Sequence, residues 1–151
     1  MQTYEINSET IAIIPYNTNK TKIIEKDHTF FINKNSIKIM EESCEFFGSS
    51  LLGRQKGTTK LIGVTHKAPI IIEETKDIIF FPTTSPRLQN CSWISLNNLI
   101  DYKKINKKSI LYFKNNINLE FNISYGIIDN QVLRATRLES VLRKRKIDKR
   151  L

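Results

Sequence analysis

A chain of 151 residues carries 24 Lys and Arg against 15 Asp and Glu, a formal charge of +9, with an apolar fraction of 40%. That length suits a single domain with a real core, and the apolar content argues against an intrinsically disordered chain. No run of about 18 apolar residues is present to span a membrane, and Met1-Gln2-Thr3-Tyr4-Glu5 has neither the basic nor the apolar stretch of a secretory signal.

Residues 10–16 (TIAIIPY) predict a strand ended by Pro15. Residues 20–33 predict extended structure, with Ile23-Ile24 and Phe30-Phe31-Ile32 as its apolar pieces. Asn35 or Ser36 can cap a helix through Ile37, Met40, Cys44 and Phe47, with Gly48 as its stop. A second short helix starts at Ser49 or Ser50. Gly53 and Gly57 weaken it by about 1 kcal/mol each relative to Ala, and they would also permit close backbone approach by a partner. The two glycines Gly48 and Gly53 have the spacing of a phosphate loop, but the Lys and Ser/Thr positions of that motif hold Arg54 and Gln55. Glutamine supplies no hydroxyl for magnesium, so the segment reads as a turn followed by a helix start.

Residues 68–73 and 77–82 are apolar runs joined by Glu74-Thr75-Lys76, expected as central strands with prolines at their ends. Residues 83–90 predict a polar loop containing Pro86 and Arg87, and residues 91–96 a further strand. Residues 109–114 and 117–123 flank Asn115-Asn116, which tolerate positive φ, and so predict a hairpin with a two-residue turn. In its second strand Ile117, Leu119, Phe121 and Ile123 alternate with Asn118, Glu120 and Asn122. From Ser124 or Asp129 the period becomes helical. Ile128, Val132, Ala135, Leu138 and Leu142 form an apolar stripe, with Arg134, Arg137 and Lys144 on the opposite half and Arg145 at its border. The expected fold is α+β: mainly antiparallel β-sheet, one or two short helices near residues 36–60, and a basic C-terminal helix. One domain spans residues 1–151, with 143–151 a basic tail.

The candidate chemistry is sparse. Cys44, Cys91, His28 and His66 are scattered, whereas a zinc site needs three or four clustered ligands. With no export signal a reducing cytoplasm is the expected compartment, and the two cysteines are expected as small buried apolar side chains. A Cys–His nucleophilic pair has no local support. No catalytic residue, metal or cofactor is expected.

The charge is unevenly placed. Residues 1–100 hold 11 basic and 10 acidic side chains, and residues 101–151 hold 13 and 5. A basic chain meets an acidic partner: nucleic acid, a lipid surface or an acidic protein. Six of the eight residues 143–150 are basic, enough to lay cations along a phosphate backbone. The alternative is a solvated helix face whose last-turn cations suit the macrodipole. A membrane surface fits less well, because the helix lacks large apolar anchors. A helix-turn-helix over residues 58–69 would turn at Gly63, but Pro69 and Ile70-Ile71-Ile72 disrupt its second helix.

Several uncommon clusters occur in order. They are Ser43-Cys44-Glu45-Phe46-Phe47-Gly48-Ser49-Ser50, then Gly53-Arg54 with Gly57-Thr58, then His66-Lys67 with Pro69-Ile70. Phe81-Pro82-Thr83, Cys91 with Trp93-Ile94-Ser95, Ile123-Ser124-Tyr125 and Asn130-Gln131-Val132 with Arg134 follow. Tyr4-Glu5, Thr10-Ile11-Ala12 and the run from Lys22 to Asp27 precede them. From about residue 4 to about residue 138 the chain resembles the ComK family of competence transcription factors. The resemblance implies a cytoplasmic, nucleoid-associated DNA-binding activator that recognises paired A/T-rich boxes through the minor groove, bends double-stranded DNA and acts as a homo-oligomer, a dimer or a dimer of dimers. RNA polymerase is the implied further partner.

A narrow A-tract minor groove attracts inserted cations without a reading helix. Arg54, between Gly53 and Gly57, is the first candidate for insertion. Lys56, Lys60, His66, Lys67 and Arg87 are further candidates, with Arg134, Arg137, Arg143, Lys144 and Arg145 gripping phosphates. Family members commonly carry a longer C-terminal tail, associated with adaptor-directed Clp proteolysis and with activation. The end at Leu151 puts both in doubt, and a short non-activating paralogue that titrates a full-length relative or a regulatory adaptor is the alternative expectation.

Overall fold

The structure is a computed structural model; it describes the backbone of residues 3–150 and the side chains of residues 3–147. Among the described residues nine strands and three α-helices follow in the order β1 (Thr10–Asn17), β2 (Lys20–Glu25), β3 (Thr29–Ile32), α1 (Ser36–Phe46), α2 (Leu51–Ile62), β4 (Ile70–Glu73), β5 (Ile78–Pro82), β6 (Trp93–Ser95), β7 (Leu99–Ile105), β8 (Lys108–Phe113), β9 (Ile117–Phe121) and α3 (Tyr125–Arg150). All pairings are antiparallel. They make a six-stranded sheet, β3-β2-β1-β6-β5-β4, and a three-stranded sheet, β7-β8-β9. The α+β expectation holds, with two helices in the 36–62 region and the long helix at the C-terminal end.

Most of the six-stranded sheet is buried on both faces, with Tyr16 and Phe31 exposed at its β1–β3 end. One face carries Ile11, Ile24, Ile71, Ile79, Phe81 and Ile94 against Leu111, Phe113 and Phe121 of the small sheet and the stripe Ile128, Ala135, Leu138 and Leu142 of α3. The other carries Ile13, Ile23, Ile70, Ile72, Phe80 and Trp93 against Ile39, Met40 and Cys44 of α1 and Leu51 of α2. This explains the continuous apolar runs: neighbouring side chains enter opposite cores. It also corrects an expectation. β5 is interior, but β4 is an edge strand. Its apolarity records cover above and below, not a neighbour on each side.

Local signals behave as their chemistry dictates. The Ile37 amide donates to Asn35 Oδ1 at 2.9 Å, capping α1, and Gly48 closes it at φ 84°. The Gly53 amide donates to Ser50 Oγ at 2.9 Å, capping α2. Gly63 ends α2 at φ 74°, and no second helix follows before β4.

Two expectations are revised. Pro15 lies inside β1 instead of ending it. β6 pairs only with Ala12 and Ile13, so from Ile14 onward β1 has a free flank, where a proline is tolerated. The β8–β9 connection is three residues, 114–116, between the paired Phe113 and Ile117, with Asn115 and Asn116 at φ 63° and 57°. The strand β7 had no clear sequence signal, because its cation-rich run turns few apolar side chains inward. Cys44 and Cys91 are buried and free, as expected. Among the described residues no helix is long and apolar enough to cross a membrane.

Candidate nucleic-acid interface

Three segments distant in sequence converge beside α2. Its own threonines hold the loop that follows it: Thr58 Oγ1 donates to the Pro69 carbonyl at 2.6 Å and Thr59 Oγ1 to the Val64 carbonyl at 2.6 Å. From α3, Gln131 Nε2 donates to the carbonyls of Lys67 (2.9 Å) and Pro82 (2.7 Å), and Arg134 Nη1 to the carbonyl of His66 (3.1 Å). The two loop carbonyls therefore face α3. His66 is exposed and Lys67 half-buried, with Lys67 at a left-handed φ of 51°. The 83–92 loop is tied at its base, where Thr83 and Ser92 bond to each other through Thr83 N–H to Ser92 O (2.9 Å) and Ser92 N–H to Thr83 Oγ1 (3.1 Å).

Between α2 and these loops lies an open groove of about 660 Å³. Lys56, His66, Lys67 and Arg87 all line it, with Gln55, Thr59, Thr65 and Ser85 as neutral polar neighbours and no carboxylate in the lining. Four cationic or ionisable basic groups in a lining without a carboxylate make a surface suited to a polyanion. Lys60 is exposed one turn along α2 from Lys56. Arg134, half-buried, joins the groove wall through His66 and also donates to Gln131 Oε1 at 3.3 Å.

The remaining candidates sit elsewhere. Arg54 is only 18% exposed and turns away from the groove, its Nη1 lying 3.7 Å from Glu74 Oε1 and its buried Nε lacking a partner. Arg143 bonds Asp77 at 3.3 Å and Glu139 at 3.5 Å. Lys146 joins it on Asp77 (3.3 Å) and donates to the Glu74 carbonyl (2.6 Å). These contacts pin the end of α3 to the β4–β5 turn. Arg137, Lys144 and Arg145 are exposed on α3.

A second cleft gathers Lys26, Lys76, Lys114 and Arg143, but Glu139 also lines it, and Lys26 is paired with Glu9 at 3.6 Å. Gln131 was missed as a site residue. Its signal was a polar amide one step from Val132 in the apolar stripe, a position that demands hydrogen-bond partners once buried.

Burial pushes the Cys44 thiol up to about 11 and the Cys91 thiol up as well, so both favour the protonated form. Among the described residues no group of three or more His, Cys, Asp or Glu is placed to hold a metal.

The family model described as ComK protein matches residues 1–147. The competence transcription factor of Bacillus subtilis (strain 168) is 36% identical over 155 aligned residues, covering 100% of this chain and 80% of that relative. No solved structure matches.

Proposed function

The chain belongs to the ComK protein family, and from that premise we propose that it is a transcriptional regulator of competence that binds double-stranded DNA through the α2 groove. The observation that carries this reading is the carboxylate-free groove, which collects Lys56, His66, Lys67 and Arg87 from three segments. Of these, Arg87 is exposed on a loop whose base is tied. We assign to Arg87 the role of entering an A/T-rich minor groove, where negative potential is enhanced. Lys56, Lys60, Lys67 and His66 flank it on phosphates, and Arg134, Arg137, Lys144 and Arg145 extend the grip along α3. Arg54 and Arg143 hold the β4–β5 turn through Glu74 and Asp77. The lack of a helix between Gly63 and β4 favours recognition by loops and DNA deformation over a helix laid in the major groove. Paired boxes call for paired protomers, so the binding unit is a homo-oligomer acting in the cytoplasm on the nucleoid.

Fluorescence anisotropy on an A/T-box duplex and a GC-matched duplex tests this. The chain should prefer the A/T duplex, and Arg87→Gln should remove most of that preference while lowering affinity for the control less. Equal, weak binding to both duplexes by the unaltered chain would refute selective recognition.

A further inference from the structure

The small sheet ends in a hairpin tip that the groove does not use. β7 and β8 stay paired to Ile105↔Lys108 and turn at Asn106-Lys107, with Asn106 at φ 53°. Lys103, Lys104, Lys107 and Lys108 fall within six residues, and all four are exposed. Among the described residues one carboxylate reaches them, Glu120, 4.0 Å from Lys108 with both side chains about half exposed. Lys103 Nζ lies 5.6 Å from the centre of the Tyr112 ring. Lys104, Asn106 and Lys107 border an open recess of about 500 Å³ with Ser124, Tyr125 and Gly126, again without a carboxylate.

The position of this tip matters as much as its charge. Its recess opens at residues 124–126 of the chain, while Gln131 and Arg134 of the same helix hold the groove loop. Five to ten residues of α3 separate the two, about 8–15 Å of helix rise. Duplex DNA carries one charge per roughly 1.7 Å of axis, so that offset passes several phosphates.

We propose that the β7–β8 tip is a second phosphate-contacting element that grips the backbone of the duplex bound in the α2 groove. This rests on the DNA-binding reading above and adds to it a contact that no groove residue makes. Lys104 and Lys107 carry the grip, because both open onto the recess beside α3. Lysines on a free sheet edge also deter strand pairing between molecules, and that role predicts a different result.

The test uses the full chain with two double variants, Lys104→Gln/Lys107→Gln at the tip and Lys67→Gln/Arg87→Gln in the groove. Anisotropy titrations on the A/T-box duplex across a salt series read the slope of log affinity against log salt. Each phosphate contact contributes about 0.9 to that slope. The tip variant should lose about 1.8 of slope, on the A/T and control duplexes alike, while melting at the unaltered temperature. The groove variant should lose affinity together with A/T preference. An unchanged slope in the tip variant overturns the proposal while the groove reading stands. Self-association with an unchanged slope overturns it in favour of edge protection. Failure of the unaltered chain to bind any duplex overturns both readings.

Discussion

Replacing Gln131 with Met separates the hydrogen bonds of the groove loop from its packing. Gln131 is fully buried, and Met has similar length and volume, so the cavity contribution is small. What disappears is the amide that donates to the Lys67 and Pro82 carbonyls at 2.9 and 2.7 Å. Each bond contributes about 1 kcal/mol net, and depriving the buried Pro82 carbonyl of a partner adds a desolvation term of about 1–3 kcal/mol. The expected loss is therefore about 3–5 kcal/mol. For a chain of this size each kcal/mol moves Tm by about 2–4 °C, giving a fall of roughly 6–20 °C. Urea unfolding followed by the fluorescence of Trp93, 1% exposed, should show a lower midpoint at unchanged m. DNA affinity should also fall under conditions where the variant is fully folded, because His66 and Lys67 lose the anchor behind them. A stability loss under about 0.5 kcal/mol would refute the claim that these two bonds hold the loop.

Two other perturbations follow from the same geometry. Asn98 donates from Nδ2 to the carbonyls of Ser8 (3.1 Å) and Thr10 (2.9 Å) and to Ser95 Oγ (3.3 Å); Asn98→Ala should cost about 2–3 kcal/mol, and hydrogen exchange should quicken at the amides of residues 6–12. Raised thiol values make stability sensitive to alkali. The Cys44 thiol ordinarily titrates near 9 and is pushed up to about 11 by burial, so the folded chain binds its proton more tightly than the unfolded one. Its contribution is complete below about pH 9 and lost between about 9 and 11. Urea midpoints measured across that window should fall with rising pH, less steeply in Cys44→Ala after allowing for its lower starting stability. A midpoint that rises would reverse the sign of the argument.

Much of the fold was legible because local chemistry fixed it. The Asn35 cap, the alternation from Ile117 to Ile123 and the stripe from Ile128 to Leu142 each need only a few residues to declare themselves. Strand order was not legible. β1 pairs with β6 through Ala12↔Ile94, and apolar runs report burial without naming the neighbour. β7 escaped because its run of cations masks a short inward face. The candidate site divides in the same way. Composition located the basic excess, yet pairing decides which cations are free. Glu74 lies beside Arg54 and Asp77 beside Arg143 only after folding, while Arg87, from a plain polar loop, ends in a groove without carboxylates.

The six-stranded sheet serves two cores at once, which makes it a stiff plate. Apart from Tyr16 and Phe31 at the β1–β3 end, its faces are covered, and on the DNA-binding reading contact falls to the elements mounted around it: α2, the 64–69 and 83–92 loops and the tip of the small sheet. Elements mounted on such a plate arrive in their working arrangement, and little ordering entropy remains to be lost on contact. On the DNA-binding reading this creates an inequality of compliance. The protein rim holds its shape, and the duplex, whose flexible steps kink readily, is the body that yields.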